Sequence, residues 1–284
     1  MRTIGVMNQK GGCGKTTTAV NLAGALHARG RRVLVVDLDP QAHATLGLNG
    51  RALAPIARTV HDALMRRVGL DPVLVPVAEG FDLAPSGDDM LFAERDLGAG
   101  AAAEERLLDA LRMTQRSYDV ALLDCPPSLG PLTLNALKAA GEILVPVETS
   151  FFALNGVSQF LRALHRYRRS WLAEKPVRAL ATLFDRRTAF AREVIEEMRR
   201  FFGPALCSTV IHNNVKLREA ASFGLPITQY DRRSRGCLDH LALADELLGE
   251  AAGQRHPPRD PAPAAAWRGA HGDRPGPAAE PASR

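Results

Sequence analysis

Short apolar segments alternate with amphipathic segments along most of the chain. The apolar segments predict buried strands at Thr3–Met7, Arg32–Val36, Asp119–Leu123, Ile143–Val147, Val177–Leu183 and Leu206–Ile211. Apolar residues at helical spacing predict helices at Lys15–Arg29, Leu132–Ala140, Leu154–Trp171, Ala189–Phe202 and Leu238–Leu248. Because such strands are apolar on both faces, helices must cover both. The order of the elements therefore predicts a doubly wound, mostly parallel α/β sheet flanked by helices.

The composition changes near Gly253. Beyond it, the residues from Gln254 to Arg284 are dominated by Pro, Ala, Gly and Arg, with Trp267 as the single aromatic residue. Such a segment cannot bury enough apolar surface to offset the entropy lost on ordering. The sequence thus predicts a folded domain over residues 1–252 and a disordered Pro/Ala/Arg-rich tail over residues 253–284.

Charge and cysteine content narrow the class of protein. The formal net charge of +5 favours a polyanionic partner such as nucleic acid, although solvated arginines produce the same balance. The four cysteines show no CxxC spacing, which indicates reduced cytoplasmic thiols rather than zinc ligands or disulfides. No apolar run approaches the roughly 20 residues that span a bilayer, and the chain enters a strand at once. We therefore expect neither a secretory signal nor a membrane partner.

The Gly-rich segment between the first strand and the first helix carries the clearest chemical signal. Its residues are Lys10, Gly11, Gly12, Cys13, Gly14, Lys15, Thr16 and Thr17. Backbone N–H groups and the positive end of a helix converge at such a loop, and glycines allow close approach to phosphate oxygens. Lys15 adds a positive charge for the β- and γ-phosphates, and the Thr16 hydroxyl is placed to bind Mg²⁺. The loop predicts binding of ATP with Mg²⁺.

Acidic residues end two of the predicted strands. Asp124 follows one strand, where a carboxylate can hold a Mg²⁺-bound water. Asp37 and Asp39 follow another and lie two residues apart, so they share a face in extended chain. These carboxylates are the candidate metal-binding and catalytic groups beside the phosphate loop.

Three motifs, taken together and in this order, resemble the deviant Walker A class of P-loop NTPases, which includes ParA partition ATPases and MinD. They are NQKGGCGKTTTAVNLA at Asn8–Ala23, VVDLDPQ at Val35–Gln41 and LLDCPPSLG at Leu122–Gly130. The Cys-Pro-Pro-Ser sequence in the last motif is more similar to ParA than to MinD. No helix-turn-helix precedes the first strand, so the chain resembles the short, Soj-like form of ParA. The resemblance implies an ATP hydrolase that is slow unless a partner stimulates it.

The resemblance also implies residue roles. Lys10 would cross a dimer interface to contact the partner's ATP, so that two subunits sandwich the nucleotide. Asp39 would orient or deprotonate the attacking water, while Asp37 would support the metal shell. The segment Thr182–Thr188 is similar to one that follows a core strand of the family. Asn213 would lie near the adenine, in a segment where the family more often has Pro-Arg-Asn-Val; the residues leave the adjacent His212 open between a binding and a turn role.

Basic clusters predict the partner. Lys216, Arg218, Arg233 and Arg235 resemble the region through which ParA relatives bind DNA without sequence preference, and no base-reading motif is visible. The expected function is segregation of a chromosome or plasmid locus, or positioning of another cargo. It would be carried out by a cytoplasmic, nucleoid-associated homodimer with a centromere-binding or cargo-adaptor partner.

Other classes of function remain open at this point. One is a MinD-like or other regulatory ATPase that acts on a protein partner without DNA; the membrane-bound form would need a C-terminal amphipathic helix, which the Pro-rich tail lacks. The others are a nitrogenase-type iron protein, which needs cysteines that hold an iron–sulfur cluster, and an ATP-dependent amidoligase.

Overall fold

The computed structural model describes residues 1–49, 56–98, 100–150, 153–167 and 175–251. Within them one sheet contains the strands β1 (Arg2–Val6), β2 (Val33–Asp37), β3 (Val75–Ala78), β4 (Phe81–Ala84), β5 (Val120–Asp124), β6 (Glu142–Glu148), β7 (Val177–Phe184) and β8 (Leu206–His212). Their order is β3-β4-β2-β5-β1-β6-β7-β8. Neighbouring strands are parallel except for the antiparallel pair β3–β4. The predicted tail over residues 253–284 lies outside the described residues.

Helices cover both faces of this sheet. They are α1 (Lys15–Ala28), α2 (His43–Leu48), α3 (Val60–Leu64), α4 (Met90–Leu97), α5 (Ala101–Glu104), α6 (Arg106–Met113), α7 (Pro131–Ala139), α8 (Ala153–Tyr167), α9 (Ala189–Phe202), α10 (Val215–Ser222), α11 (Ile227–Tyr230) and α12 (Arg235–Ala251). Alternate residues of β2 enter different hydrophobic cores. Leu34 and Val36 belong to the core formed with α3, α4 and α6 to α9, whereas Val33 and Val35 belong to the core formed with α1 and α12. The predicted doubly wound α/β fold is confirmed.

The middle of the chain contains elements that the apolar pattern did not predict. Strands β3 and β4 are four residues each, and β3 is partly exposed and contains Pro76. Such short segments lack the sustained period that reveals a strand. The closing helix also begins at Arg235 rather than at Leu238, because the Ser234 hydroxyl accepts a hydrogen bond from the Cys237 N–H at 3.2 Å and extends the helix by a turn.

The two edges of the sheet are protected in different ways. At the β3 edge, Pro76 has no N–H group to offer to another strand. At the β8 edge, the carboxylate of Glu246 on α12 accepts hydrogen bonds from the N–H groups of Ser208, at 2.7 Å, and Thr209, at 2.8 Å. Both edges therefore present fewer free backbone groups than an ordinary edge strand.

The register of the central strands positions the candidate site. The ends of β1, β2 and β5 are aligned, so that Asp124 pairs in register with Asp37 on one side and Val6 on the other. The Gly-rich loop leaves β1 directly after this point and leads into α1. Loops from the carboxyl ends of the strands therefore converge at one edge, which is where ligands bind in open α/β sheets.

Candidate active site

The phosphate loop requires glycine at two of its positions. Gly12 and Gly14 have φ angles of 74° and 89°, in the left-handed region that side chains disfavour. The loop is also attached to neighbouring strands: the Thr182 hydroxyl donates to the Cys13 carbonyl at 2.8 Å, and the Asn8 amide donates to the Pro146 carbonyl at 2.8 Å. The loop is thus held in a fixed shape by contacts from β6 and β7.

The two lysines of the loop occupy different environments. Lys15, at the start of α1, is 7% exposed, and its ammonium group donates to the Lys10 carbonyl at 3.1 Å. The Lys10 side chain is about one-third exposed; it forms an ion pair with Glu148 and donates to the Ser150 hydroxyl at 3.1 Å. Lys15 is therefore directed into the loop, whereas Lys10 lies along its rim and is held by residues at the end of β6.

Asp124 is fully buried, and neither of its carboxylate oxygens has a hydrogen-bond partner among the described residues. Burial raises the pKa of this carboxyl group well above its ordinary range, and the charge of Asp37 adds to the rise. The Thr16 hydroxyl opposes part of that rise, although it lies outside hydrogen-bond geometry. An unpartnered buried carboxylate beside a hydroxyl fits the oxygen ligands that Mg²⁺ prefers.

In the described parts of the chain, no three His, Cys, Asp or Glu side chains form a cluster that could hold a metal. Mg²⁺ commonly binds through one or two carboxylates together with substrate phosphates and water. The residues present, Thr16 and Asp124, fit that mode of binding.

Both oxygens of the Asp37 carboxylate accept hydrogen bonds from residues that follow β2. Its Oδ1 atom accepts from the Asp39 N–H at 3.1 Å, and its Oδ2 atom accepts from the Thr45 N–H at 2.8 Å and the Thr45 hydroxyl at 2.7 Å. Burial raises the pKa of Asp37 to about 6, although these hydrogen bonds lower it in part. Asp37 thus fixes the loop that carries Asp39, an arrangement consistent with support of a metal shell.

Asp39 itself lies at the turn after this strand. Its Oδ1 atom accepts from the Gln41 N–H at 2.9 Å, and its backbone carbonyl accepts from the Ser86 hydroxyl at 2.7 Å. The side chain is at the same edge of the sheet as Asp124, since β2 and β5 are neighbours. The three acidic residues are therefore brought together with the phosphate loop.

The segment near Asn213 lies three strands from β1, at the carboxyl end of β8. Asn213 is exposed, and its N–H group donates to the Phe184 carbonyl at 3.0 Å. His212 has a position inside the domain: its Nδ1 atom lies 2.9 Å from an Asp239 oxygen, and its ring packs edge-on against Phe184 at 5.3 Å. The structure thus gives His212 contacts inside the domain, whereas Asn213 is exposed at the surface.

The four predicted DNA-binding residues fall into two pairs. Lys216 forms an ion pair with Glu219 at 2.7 Å, and Arg235 forms one with Asp239 at 2.8 Å. Arg218 and Arg233 are exposed, and neither has an ion pair with another described residue. All four belong to α10, α12 or the segment that joins α11 to α12.

The motifs did not reveal several residues that shape the site. These are Thr45, Ser86, Glu148 and Ser150, and each contacts a motif residue; Thr182, which contacts Cys13, begins the segment already singled out from the sequence. Ser86 follows β4, Glu148 ends β6 and Thr182 lies near the end of β7. A polar residue at the carboxyl end of a predicted strand is the signal that could have found Glu148 and Ser150.

Across the described residues, no helix combines the length and the apolar character that crossing a membrane requires.

Comparison with known proteins places this geometry in a family. A family model described as an AAA domain matches residues 1–175. The chain is 40% identical over 262 residues to the chromosome partitioning protein ParA of Myxococcus xanthus, which covers 92% of this chain and 90% of that protein. It is also 40% identical over 248 residues to the sporulation initiation inhibitor protein Soj of Bacillus subtilis, covering 87% and 98% of the two chains.

The chain belongs to the ParA-type family of ATPases. A solved structure that this ParA-type chain resembles is cobyrinic acid a,c-diamide synthase from Mycobacterium smegmatis with bound ADP and magnesium, at 34% identity and a TM-score of 0.77. The similarity covers 92% of this chain and all of that one. As a ParA-type ATPase the protein hydrolyses ATP, and the predictions of the family, of the enzyme class and of ATP and Mg²⁺ as cofactors are confirmed.

Proposed function

We propose that this ParA-type ATPase is a DNA-dependent positioning switch, in which two subunits sandwich ATP, bind DNA without sequence preference and separate after hydrolysis. Relatives that are 38–43% identical to it are chromosome partitioning proteins, which supports a general role of this kind. The single observation that carries the finer proposal is the position of Lys10. This lysine is partly exposed on the rim of the loop, while Lys15 already supplies the buried cation.

A second cation at the rim has a clear chemical use. Within one subunit, the ammonium group of Lys10 pairs with the Glu148 carboxylate and is not directed into the phosphate loop. If a second subunit approached this edge, the side chain could exchange that carboxylate for the phosphates of the neighbouring nucleotide. A cation supplied in this way stabilises charge in the transition state as an arginine finger does. Lys10 would thereby make ATP part of the dimer interface.

The remaining site residues have complementary roles in this proposal. The backbone of Gly11, Gly12, Cys13 and Gly14 cradles the phosphates together with Lys15 and Thr17, and Asn213 meets the adenine. Thr16 and Asp124 would hold Mg²⁺, with Asp37 supporting that shell, and the chemistry supplied there would be neutralisation of developing phosphate charge. Asp39 orients the attacking water and accepts its proton. The Asp39 carboxylate suits that task because it lies at the same edge of the sheet as Asp124 and the phosphate loop.

The basic surface supplies the DNA contact. Lys216, Arg218, Arg233 and Arg235 lie on α10, α12 and the segment before α12, and contacts to phosphates alone require no base-reading element. A dimer doubles this surface, so that DNA affinity depends on ATP. The protein would then be nucleoid-associated in the cytoplasm, and a centromere-binding or cargo-adaptor protein would stimulate hydrolysis. We further propose that the folded domain ends near residue 252 and that the tail is a separate segment.

The test compares wild type with Lys10→Ala and Lys15→Ala in an anisotropy titration of DNA, with Mg²⁺ and either ADP or a slowly hydrolysed ATP analogue. We expect wild type to bind DNA at least about 10-fold more tightly with the ATP analogue. Lys10→Ala should bind the nucleotide but fail to form the dimer or to gain DNA affinity. If Lys10→Ala forms dimers and hydrolyses ATP as wild type does, the trans role of Lys10 is wrong. If wild type binds protein partners but no DNA, a MinD-like regulatory function replaces the proposal.

A second candidate function is ATP-dependent amide synthesis, which the 34% identity to the cobyrinic acid a,c-diamide synthase structure favours. Amide transfer from glutamine requires a reactive thiolate or another nucleophile. All four cysteines are buried, and burial raises the pKa of every one of their thiols. The discriminating measurement is whether DNA, or instead a carboxylic acid substrate with ammonia or glutamine, accelerates ATP hydrolysis.

A further inference from the structure

The loop that carries Asp39 is closed by a ring of hydrogen bonds. The Asp39 N–H donates to Asp37 Oδ1 at 3.1 Å, and Asp37 Oδ2 accepts the Thr45 hydroxyl at 2.7 Å. The same Thr45 hydroxyl oxygen accepts from the Ser86 N–H at 2.9 Å. The Ser86 hydroxyl then donates to the Asp39 carbonyl at 2.7 Å, which closes the ring. Each of the four residues is buried.

We propose that Ser86 and Thr45 are positioning residues for ATP hydrolysis, which hold the backbone of Asp39 so that its carboxylate keeps the orientation needed toward the attacking water. The inference rests on the proposed role of Asp39. It adds a requirement that no motif contains, because Ser86 belongs to the segment after β4 and Thr45 to α2.

The conformation of the turn explains why such a support is needed. Ala42 has a φ angle of 52°, in the left-handed region that a residue with a side chain disfavours. Its N–H group donates to the same Asp39 carbonyl at 2.9 Å. A strained turn persists only where surrounding contacts determine it. The Ser86 hydroxyl reaches that carbonyl from the segment directly after β4, and so it ties the turn to the end of a neighbouring strand.

The residues of the hydrogen-bonded ring are distinct from those that hold the phosphate loop, so an effect on the orientation of Asp39 can be separated from an effect on nucleotide binding. Ser86 and Thr45 do not belong to the phosphate loop, which is held by Thr182 and Asn8. Loss of the Ser86 hydroxyl should therefore leave nucleotide binding intact while the Asp39 carboxylate loses its fixed direction. Misplacement of a reacting group by about 1 Å slows a reaction by roughly 100-fold. A partial loss of orientation predicts a decrease of about 10-fold or more in the hydrolysis step.

The experiment measures single-turnover ATP hydrolysis and, separately, the affinity for a non-hydrolysable ATP analogue with Mg²⁺. The variants are Ser86→Ala, Thr45→Val and Thr45→Ser, of which the last keeps the hydroxyl group. We expect Ser86→Ala and Thr45→Val to slow hydrolysis by about 10-fold or more with affinity within about twofold of wild type, and Thr45→Ser to retain the rate. Thermal melting establishes that each variant is folded. If Ser86→Ala does not fold, the comparison of Thr45→Val with Thr45→Ser tests the positioning role.

Thr114→Val is the matched control, because it removes another hydroxyl-to-carboxylate hydrogen bond, to Asp71, outside the ring. It should lower the melting temperature without slowing hydrolysis. Wild-type hydrolysis by Ser86→Ala and Thr45→Val, or an equal loss of affinity and rate, would overturn the positioning role. Asp39→Asn separates the two levels of inference: if it hydrolyses ATP normally, the proposed role of Asp39 itself is wrong. If Asp39→Asn is inactive while Ser86→Ala is normal, only the positioning role fails.

Discussion

The site edge of the sheet and the surface of α10 and α12 hold their charges in opposite ways. At the site edge Lys15, Asp37 and Asp124 are buried. Lys15 and Asp37 form hydrogen bonds with fixed partners, whereas neither carboxylate oxygen of Asp124 has a hydrogen-bond partner among the described residues. On the α10–α12 surface Arg218 and Arg233 are exposed to solvent. The electrostatic interactions of a buried charge are strong because the local dielectric is low. Those of exposed charges are screened by solvent and salt, so that several such charges are needed for a comparable effect. Substitutions should therefore have large individual effects in the first region and small, summed effects in the second.

The largest expected effect is that of Lys15→Ala. Removing the buried cation that faces the phosphates should reduce ATP hydrolysis by about 100-fold or more, with a corresponding loss of nucleotide affinity. Equilibrium binding of a fluorescent ATP analogue and a phosphate-release assay measure both quantities. If Lys15→Ala hydrolyses ATP at a rate within a few-fold of wild type, the activity of the buried region does not depend strongly on this single charge.

Asp124→Asn should have opposite effects on the activity and on the stability of the protein. It should slow Mg²⁺-dependent hydrolysis, although by less than Lys15→Ala does, because the amide is a poor ligand for the ion. It should also stabilise the nucleotide-free protein by about 1–2 kcal/mol, since an unpartnered buried carboxylate is replaced by a neutral group of the same shape. Chemical denaturation without and with Mg²⁺-ATP checks the prediction. A loss of stability in the nucleotide-free protein would contradict this account of Asp124.

The smallest individual effects are expected on the basic surface. The double variant Arg218→Ala/Arg233→Ala should weaken DNA binding by about 10-fold and reduce the slope of log affinity against log salt by about 2. The matched variant Lys216→Ala/Arg235→Ala should have the smaller effect, because Glu219 and Asp239 already neutralise those residues. Anisotropy titrations at several salt concentrations provide both numbers. Equal effects of the two pairs would show that the intramolecular ion pairs do not limit DNA contact.

The same contrast explains what the sequence could predict. Lys15, Thr16 and Asp124 belong to contiguous motifs next to strongly apolar strands, so both the fold and the core of the site were accessible from the sequence. Ser86 reaches the site only because β4 lies beside β2, and this pairing depends on a four-residue strand without a clear period. The ion pair between Lys10 and Glu148 joins residues 138 positions apart, which no local pattern can indicate.

The protected edges of the sheet limit how copies of this chain can associate. Pro76 at one edge and Glu246 at the other occupy or remove the backbone groups through which sheets fuse into continuous fibres. Strand addition at these edges is therefore disfavoured, even where many copies lie close together. Association between copies is left to contacts between side chains on the helical surfaces.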